Sequence, residues 1–183
     1  MSKVITFSMK FPSYHKRKGE QTFFVEKLLN WYSMQEENPY YKLSEMLEDL
    51  NGEKIEHEGF DMKPFIRSLY KIKDHTFKLH TIRSGNRWKV GDECSPRVWS
   101  GMPYKSKQIT ILPDLEIKKI YKFEIRKRKN HGTGIFINKK QISPDTVIEV
   151  ANNDGLTISD FMAWFKYPCL FKGQIICFGD VKY

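Results

Sequence analysis

The stretch Lys78-Leu79-His80-Thr81-Ile82-Arg83, followed by Arg87-Trp88-Lys89-Val90-Gly91-Asp92, decides how this chain is read. It brings an amine (Lys78), a hydroxyl (Thr81) and a guanidinium (Arg83) close together in sequence. Lys78 and Thr81 are three apart and share a face only on a helical turn. Thr81 and Arg83 are two apart and share a face only on a strand. Convergence of all three groups therefore calls for a turn of helix running into a strand near His80. Gly91-Asp92 then reads as a turn that sends the chain back. The alternative is an amphipathic strand with its polar residues in water, and spacing alone does not choose between the two.

Upstream, Val4 to Phe11 alternates Ile5, Phe7, Met9 and Phe11 against Thr6, Ser8 and Lys10, the pattern of a half-buried strand. Tyr14-His15-Lys16-Arg17-Lys18-Gly19 is a basic loop, either solvated or in contact with phosphate. Gln21 to Tyr32 places Phe24, Leu28 and Trp31 at helical spacing. From Ser33 to Asp74 the composition turns acidic and polar. Leu43 to Leu50 fits a short helix, Glu53 to Gly59 a hairpin or loop, and Phe60 to Ile72 a helix with Pro64 in or near its first turn.

Downstream, Glu93 to Trp99 and Lys107 to Leu112 read as strands around a turn at Ser100-Gly101-Met102-Pro103. Leu115 to Arg126 alternates over its length, with one break at Lys119-Ile120 that suggests a bulge. Lys127 to Gly132 turns the chain, and Ile135 to Asn138 returns as a hairpin partner. Val147 to Val150 reads as a brief strand or extended segment. Asn152-Asn153-Asp154-Gly155 is a turn, Thr157 caps a helix from Ile158 to Phe165, and Lys172 to Phe178 closes the chain as an apolar, central strand.

These six to eight strands, with helices near the start and before the last strand, predict an α+β class built on a small β-barrel. At 183 residues the chain suits one domain, and no linker divides it. Hydrophobic residues at 40% and charged residues at 29% exclude a disordered chain. The net charge of +9 favours a polyanionic partner such as nucleic acid. Cys94, Cys169 and Cys177 are odd in number and lack metal spacing, so reduced thiols are expected, with no metal and no cofactor. With no signal-like run and no membrane-spanning stretch, the expected location is the cytoplasm.

The order Ile5-Thr6-Phe7, then Lys78-x-x-Thr81-x-Arg83, then the aromatic-Lys-x-Gly-Asp run from Trp88 to Asp92 and a late acidic turn, resembles an ASCH domain. That resemblance implies a PUA-like β-barrel linked to RNA biology, spanning residues 1–183 with 12–75 as a helical insertion. Lys-x-x-Thr-x-Arg is more like the small bacterial amidohydrolases that deacetylate acetylcytidine than like the general ASCH pattern. The general pattern has a glycine two places before the lysine, where Thr76 stands here, and a glutamate where Thr81 stands. The amidohydrolase likeness implies Lys78 and Thr81 as catalytic residues and Arg83 as the motif arginine. The family's late catalytic glutamate falls on Asp154, one methylene shorter. The segment Pro12 to His75 is much longer than the short helix of those enzymes.

Three functions follow as expectations. In the first, Lys78, Thr81 and Asp154 hydrolyse an acylated nucleoside, with Arg83, Arg87 and Trp88 binding substrate. Lys78 then has to be a base with a depressed pKa. On its own Asp154 reads first as a turn or cap residue bonded to nearby backbone, and only the resemblance brings catalysis level with that. In the second, the chain is a non-catalytic RNA-binding module. There Lys118, Lys122, Arg126, Lys127, Arg128 and Lys129 contact phosphate, and Trp88, Trp99 or Tyr104 stacks on a base. In the third, the acidic insertion docks a protein partner.

Overall fold

The computed structural model describes residues 2–35, 56–57, 60–61, 77–128, 132–165 and 170–183. Its elements, in chain order, are β1 (Lys3–Thr6), α1 (Phe24–Ser33), β2 (Glu56–His57), β3 (Phe60–Asp61), β4 (His80–Ser84), β5 (Glu93–Trp99) and β6 (Gln108–Thr110). There follow β7 (Leu115–Glu116), β8 (Lys119–Arg128), β9 (Gly132–Ile137), β10 (Lys140–Gln141), α2 (Pro144–Asn153), α3 (Ile158–Trp164) and β11 (Leu170–Cys177). The class is α+β, as the strand and helix patterns predict.

Two sheets carry the fold. In the first, β5 pairs with β1 in parallel and with β6 and β7 antiparallel, β6 taking one end of β5 and β7 the other. The second is antiparallel throughout, in the order β10-β9-β8-β11-β4. Among the described residues the two sheets do not close by hydrogen bonding into one cylinder. β2 and β3 form a separate antiparallel pair.

The long alternating run from Leu115 to Arg126 serves both sheets. Leu115 and Glu116 pair with β5, while Lys119 onward pairs with β11 and β9. Between them the Ile117 N–H donates to Asp92 O, and the next N–H, of Lys118, donates to Cys177 O. The break in alternation is thus a change of sheet rather than the bulge that the sequence suggests.

A single apolar core joins the layers, with Ile5, Leu28, Val98, Phe123, Phe161 and Ile176 among its buried members. α2 and α3 cover one face of the second sheet: Phe123 meets the rings of Phe161 and Phe165, and His80 Nε2 reaches Val150 O at 3.2 Å. α1 lies inside the stretch expected as an insertion, yet Leu28 and Leu29 are fully buried, so this helix is part of the core.

Other expectations shift. Val147 to Val150 is not extended but lies within α2. Ser143 caps that helix by accepting from Thr146 N–H, Pro144 takes a first-turn position and Asp145 suits the positive end. β-branched Val147, Ile148 and Val150 suggest a strand, but the cap and the burial of Val150 and Ala151 prevail. Phe60 and Asp61 are strand, where the sequence suggests the start of a helix, and they pair with residues from the suggested hairpin or loop. The helix expected over Leu43–Leu50 and the rest of Phe60–Ile72 lie outside the described residues, as does Cys169. β11 is central in its sheet, and Thr157 caps α3 through Asp160 N–H, both as expected.

Candidate functional site

The chain reaches β4 through residues 77–79, which have no regular structure, so the site forms without the helical turn that the spacing suggests. The Lys78 N–H donates to Lys27 O at 3.3 Å and the Leu79 N–H to Asn153 O at 2.8 Å. These two bonds hold the segment between α1 and the end of α2. They aim the Lys78 side chain inward, where only 1% of the residue is exposed. Its Nζ donates to Asp154 Oδ1 at 2.5 Å and to the Asp154 backbone carbonyl at 2.6 Å.

Asp154 is the C-cap residue of α2. Gly155, at φ 76°, takes the left-handed conformation that ends the helix. The Gly155 N–H then bonds Asn152 O and the Leu156 N–H bonds Ala151 O, the paired pattern of a Schellman stop. Lys27 Nζ donates to Gly155 O at 2.6 Å. Two lysine amines therefore meet the carbonyl end of α2, where the helix dipole is negative. The turn reading and the site reading of Asp154 are both visible: its backbone ends a helix and its side chain is buried against Lys78.

Burial governs the charges here. It pushes the Lys78 amine down to about 8, against the opposing pull of Asp154, and it raises the Asp154 carboxyl above its usual range. The Phe24 ring centroid lies 4.0 Å from Nζ. A neutral Lys78 amine has two N–H bonds and one lone pair, and the two Asp154 oxygens accept both N–H bonds. The lone pair is left for another donor.

Thr81 supplies a hydroxyl in the same space. It is buried, and its hydroxyl has no hydrogen-bond partner among the described residues. Lys78, Thr81, Arg83 and Asp154 all line one niche of about 50 Å³, closed in part by Phe24 and Trp164. That volume holds water or a small acyl group. Arg83 donates from Nη2 to Thr6 O at 2.5 Å, while its buried Nε has no partner among the described residues.

Arg83, Phe7 and Ser8 also line a second cavity of about 850 Å³, of the size that takes small organic ligands. Arg87, Trp88, Trp99 and Tyr104 form further parts of its wall. Trp88 is buried, and Gln174 clamps its backbone: the Trp88 N–H donates to Gln174 Oε1 at 3.1 Å and Gln174 Nε2 donates to Trp88 O at 3.0 Å. Arg87 is exposed, donates to Val4 O and lies over the Trp88 ring. Tyr104 is 90% exposed, sits at a positive φ of 65° and holds its ring 5.3 Å from that of Trp99.

Sequence reasoning missed Gln174, Lys27 and Phe24. Gln174 carried a signal, as a lone amide leading the apolar run Ile175-Ile176-Cys177-Phe178. Lys27 and Phe24 carried none, because their roles depend on where α2 ends.

The other singled-out residues lie apart. Lys118 and Lys122 are exposed, Arg126 pairs with Glu124 and lies over Phe136, and none of the three lines either cavity. Lys127 and Arg128 end β8 with side chains outside the described residues, as is the whole of Lys129. The basic loop docks on α3. His15 is buried against Phe11, donates from Nε2 to Asp160 O and accepts from the Arg17 N–H, while Arg17 and Lys16 bond to Asp160 and Ser159. Asp92 holds its turn, accepting from the Lys89 N–H at 2.7 Å and from Lys3 Nζ at 2.5 Å.

Among the described residues no cluster of three or more His, Cys, Asp or Glu could hold a metal, and no helix is long and apolar enough to cross a membrane. No protein family, curated protein or solved structure matches the chain.

Proposed function

We propose that this chain is an ASCH-type, PUA-like protein whose larger cavity binds a nucleoside and whose inner niche hydrolyses an acyl amide on it. The observation that carries this reading is the junction of the two spaces: a niche holding Lys78, Thr81 and Asp154 opens beside an aromatic cavity, with Arg83 in the wall of both. A nucleobase fits against Trp99 and Tyr104, and its acyl group reaches past Arg83.

In this mechanism neutral Lys78, oriented by Asp154, takes the Thr81 hydroxyl proton as the oxygen bonds to the acyl carbon. Arg83 Nε–H, unpaired until then, donates to the developing oxyanion. The C–N bond breaks, and the Lys78 ammonium returns the proton to the leaving amine. A water activated by the same amine then cleaves the Thr81 ester, releasing carboxylic acid and restoring the hydroxyl. The buried thiols of Cys94 and Cys177, both pushed up to about 12 by burial, suit a reducing compartment, and we place the protein in the cytoplasm.

The test is release of cytidine and acetate from acetylcytidine by wild type and by folded Lys78→Ala. Turnover by wild type alone is expected. Tight binding of acetylcytidine without turnover would instead favour the non-catalytic binding module, and neither binding nor turnover would remove this substrate class.

A further inference from the structure

Among the described residues the larger cavity is lined by three cations, Lys10, Arg83 and Arg87, and by no aspartate or glutamate. Several cations elsewhere pair with carboxylates: Arg17 has Glu20 and Asp160, Lys3 has Asp92, Lys119 has Asp180, Arg126 has Glu124 and Lys78 has Asp154, whereas exposed cations such as Lys118 and Lys122 have none among the described residues. Lys10 and Arg87 have no ion-pair partner among the described residues, whereas Arg83 feels the Asp154 carboxylate across the niche.

We propose that this cavity takes a phosphate-bearing nucleotide, with Arg87 and Lys10 as the subsite for the phosphate and Arg83 left to the acyl end. The base part of this assignment rests on the nucleoside reading above, while the phosphate part rests on the unpaired cations. A phosphomonoester carries about −1.5 to −2 charges and three acceptor oxygens, which suits two neighbouring cations better than a carboxylate does. Arginine forks match its oxygens in pairs. The aromatic wall of Trp99 and Tyr104 offers ring faces to the base. A free nucleotide and a nucleotide within a single strand present the same group, so the probes have to separate them.

The experiment is equilibrium titration of the full chain with cytidine, cytidine 5′-monophosphate, inorganic phosphate and a short cytidine-containing single strand. Wild type is compared with Lys10→Ala and Lys10→Ala/Arg87→Gln, which alter exposed side chains. The monophosphate is expected to bind at least about tenfold more tightly than cytidine at low salt. That advantage should shrink as salt rises and collapse in the double variant. Equal affinity for cytidine and its monophosphate in wild type overturns the phosphate subsite and leaves the nucleoside reading standing. Inorganic phosphate binding with neither cytidine nor its monophosphate bound overturns the nucleotide assignment through its base. Binding of none of the four overturns the proposal and the nucleoside reading together. Where the monophosphate advantage holds, tighter binding of the single strand assigns the phosphate to a polynucleotide, and weaker binding assigns it to a free nucleotide.

Discussion

Lys78 has the most unusual surroundings of any residue in the site: a long amine fully withdrawn from water, whose described polar partners both belong to Asp154. Its folded pKa of about 8 lies below the ordinary 10.5, so between those values the unfolded chain binds more protons than the folded one. The Lys78 contribution to stability therefore rises with pH across that window. Activity follows the same titration, because only the neutral amine is a base. The rate of acyl hydrolysis should climb through pH 8 and level off above it, and a rate flat from pH 6 to 9 would remove Lys78 as the base. Asp154→Asn keeps a side-chain acceptor but deletes the charge that holds the Lys78 proton. The rising limb should move to lower pH, with a loss of about 1–3 kcal/mol in urea unfolding. An unmoved limb would show that the carboxylate does not reach the amine electrostatically. Which group faces Lys78 was half legible: the Asn-Asn-Asp-Gly run marked a turn, but nothing local says that the turn ends a helix pointed at Lys78.

At the scale of elements, β11 sets the register of β4 and so places Thr81 and Arg83. Gly173 sits opposite Ser84 in that pairing, and a methyl there would lie 2.1 Å from the Arg83 carbonyl oxygen. Gly173→Ala should cost at least about 1–3 kcal/mol and weaken substrate binding, because β4 has to move with Arg83. Wild-type stability and KM in a folded Gly173→Ala would contradict that coupling. Gln174, next along, works as a backbone mimic for Trp88. Gln174→Leu strands one buried N–H and one carbonyl, so a loss of about 1–3 kcal/mol and a changed tryptophan emission are expected. An unchanged melting temperature with unchanged emission would count against the clamp. β5, α1, α3 and β11 were legible because alternation, helical spacing and the Thr157 cap all agree with their burial. α2 was not, since its β-branched residues outweighed the Ser143-Pro144-Asp145 start in a local reading. The switch of Leu115–Arg126 between sheets was invisible for a different reason: partners, not propensities, decide it.

For the whole molecule, the α+β class follows from local patterns, whereas the joining of niche and cavity depends on contacts distant in sequence. Phe7 from beyond β1, Phe24 from α1, Arg83 from β4, Asp154 from the end of α2 and Trp164 from α3 meet only when both sheets and all three helices are in place. The net charge of +9 pointed towards an anionic partner, yet the exposed Lys118 and Lys122 that sequence favoured do not line the cavity, and Lys10, Arg83 and Arg87 do. The most direct measurement on the central claim is the acetylcytidine hydrolysis rate of Thr81→Val against wild type. Valine keeps the shape of threonine and removes only a hydroxyl that has no partner among the described residues. Wild-type turnover with a loss of at least about 100-fold in kcat, at unchanged melting temperature, is expected if Thr81 is the nucleophile. Equal rates from the two proteins would contradict it.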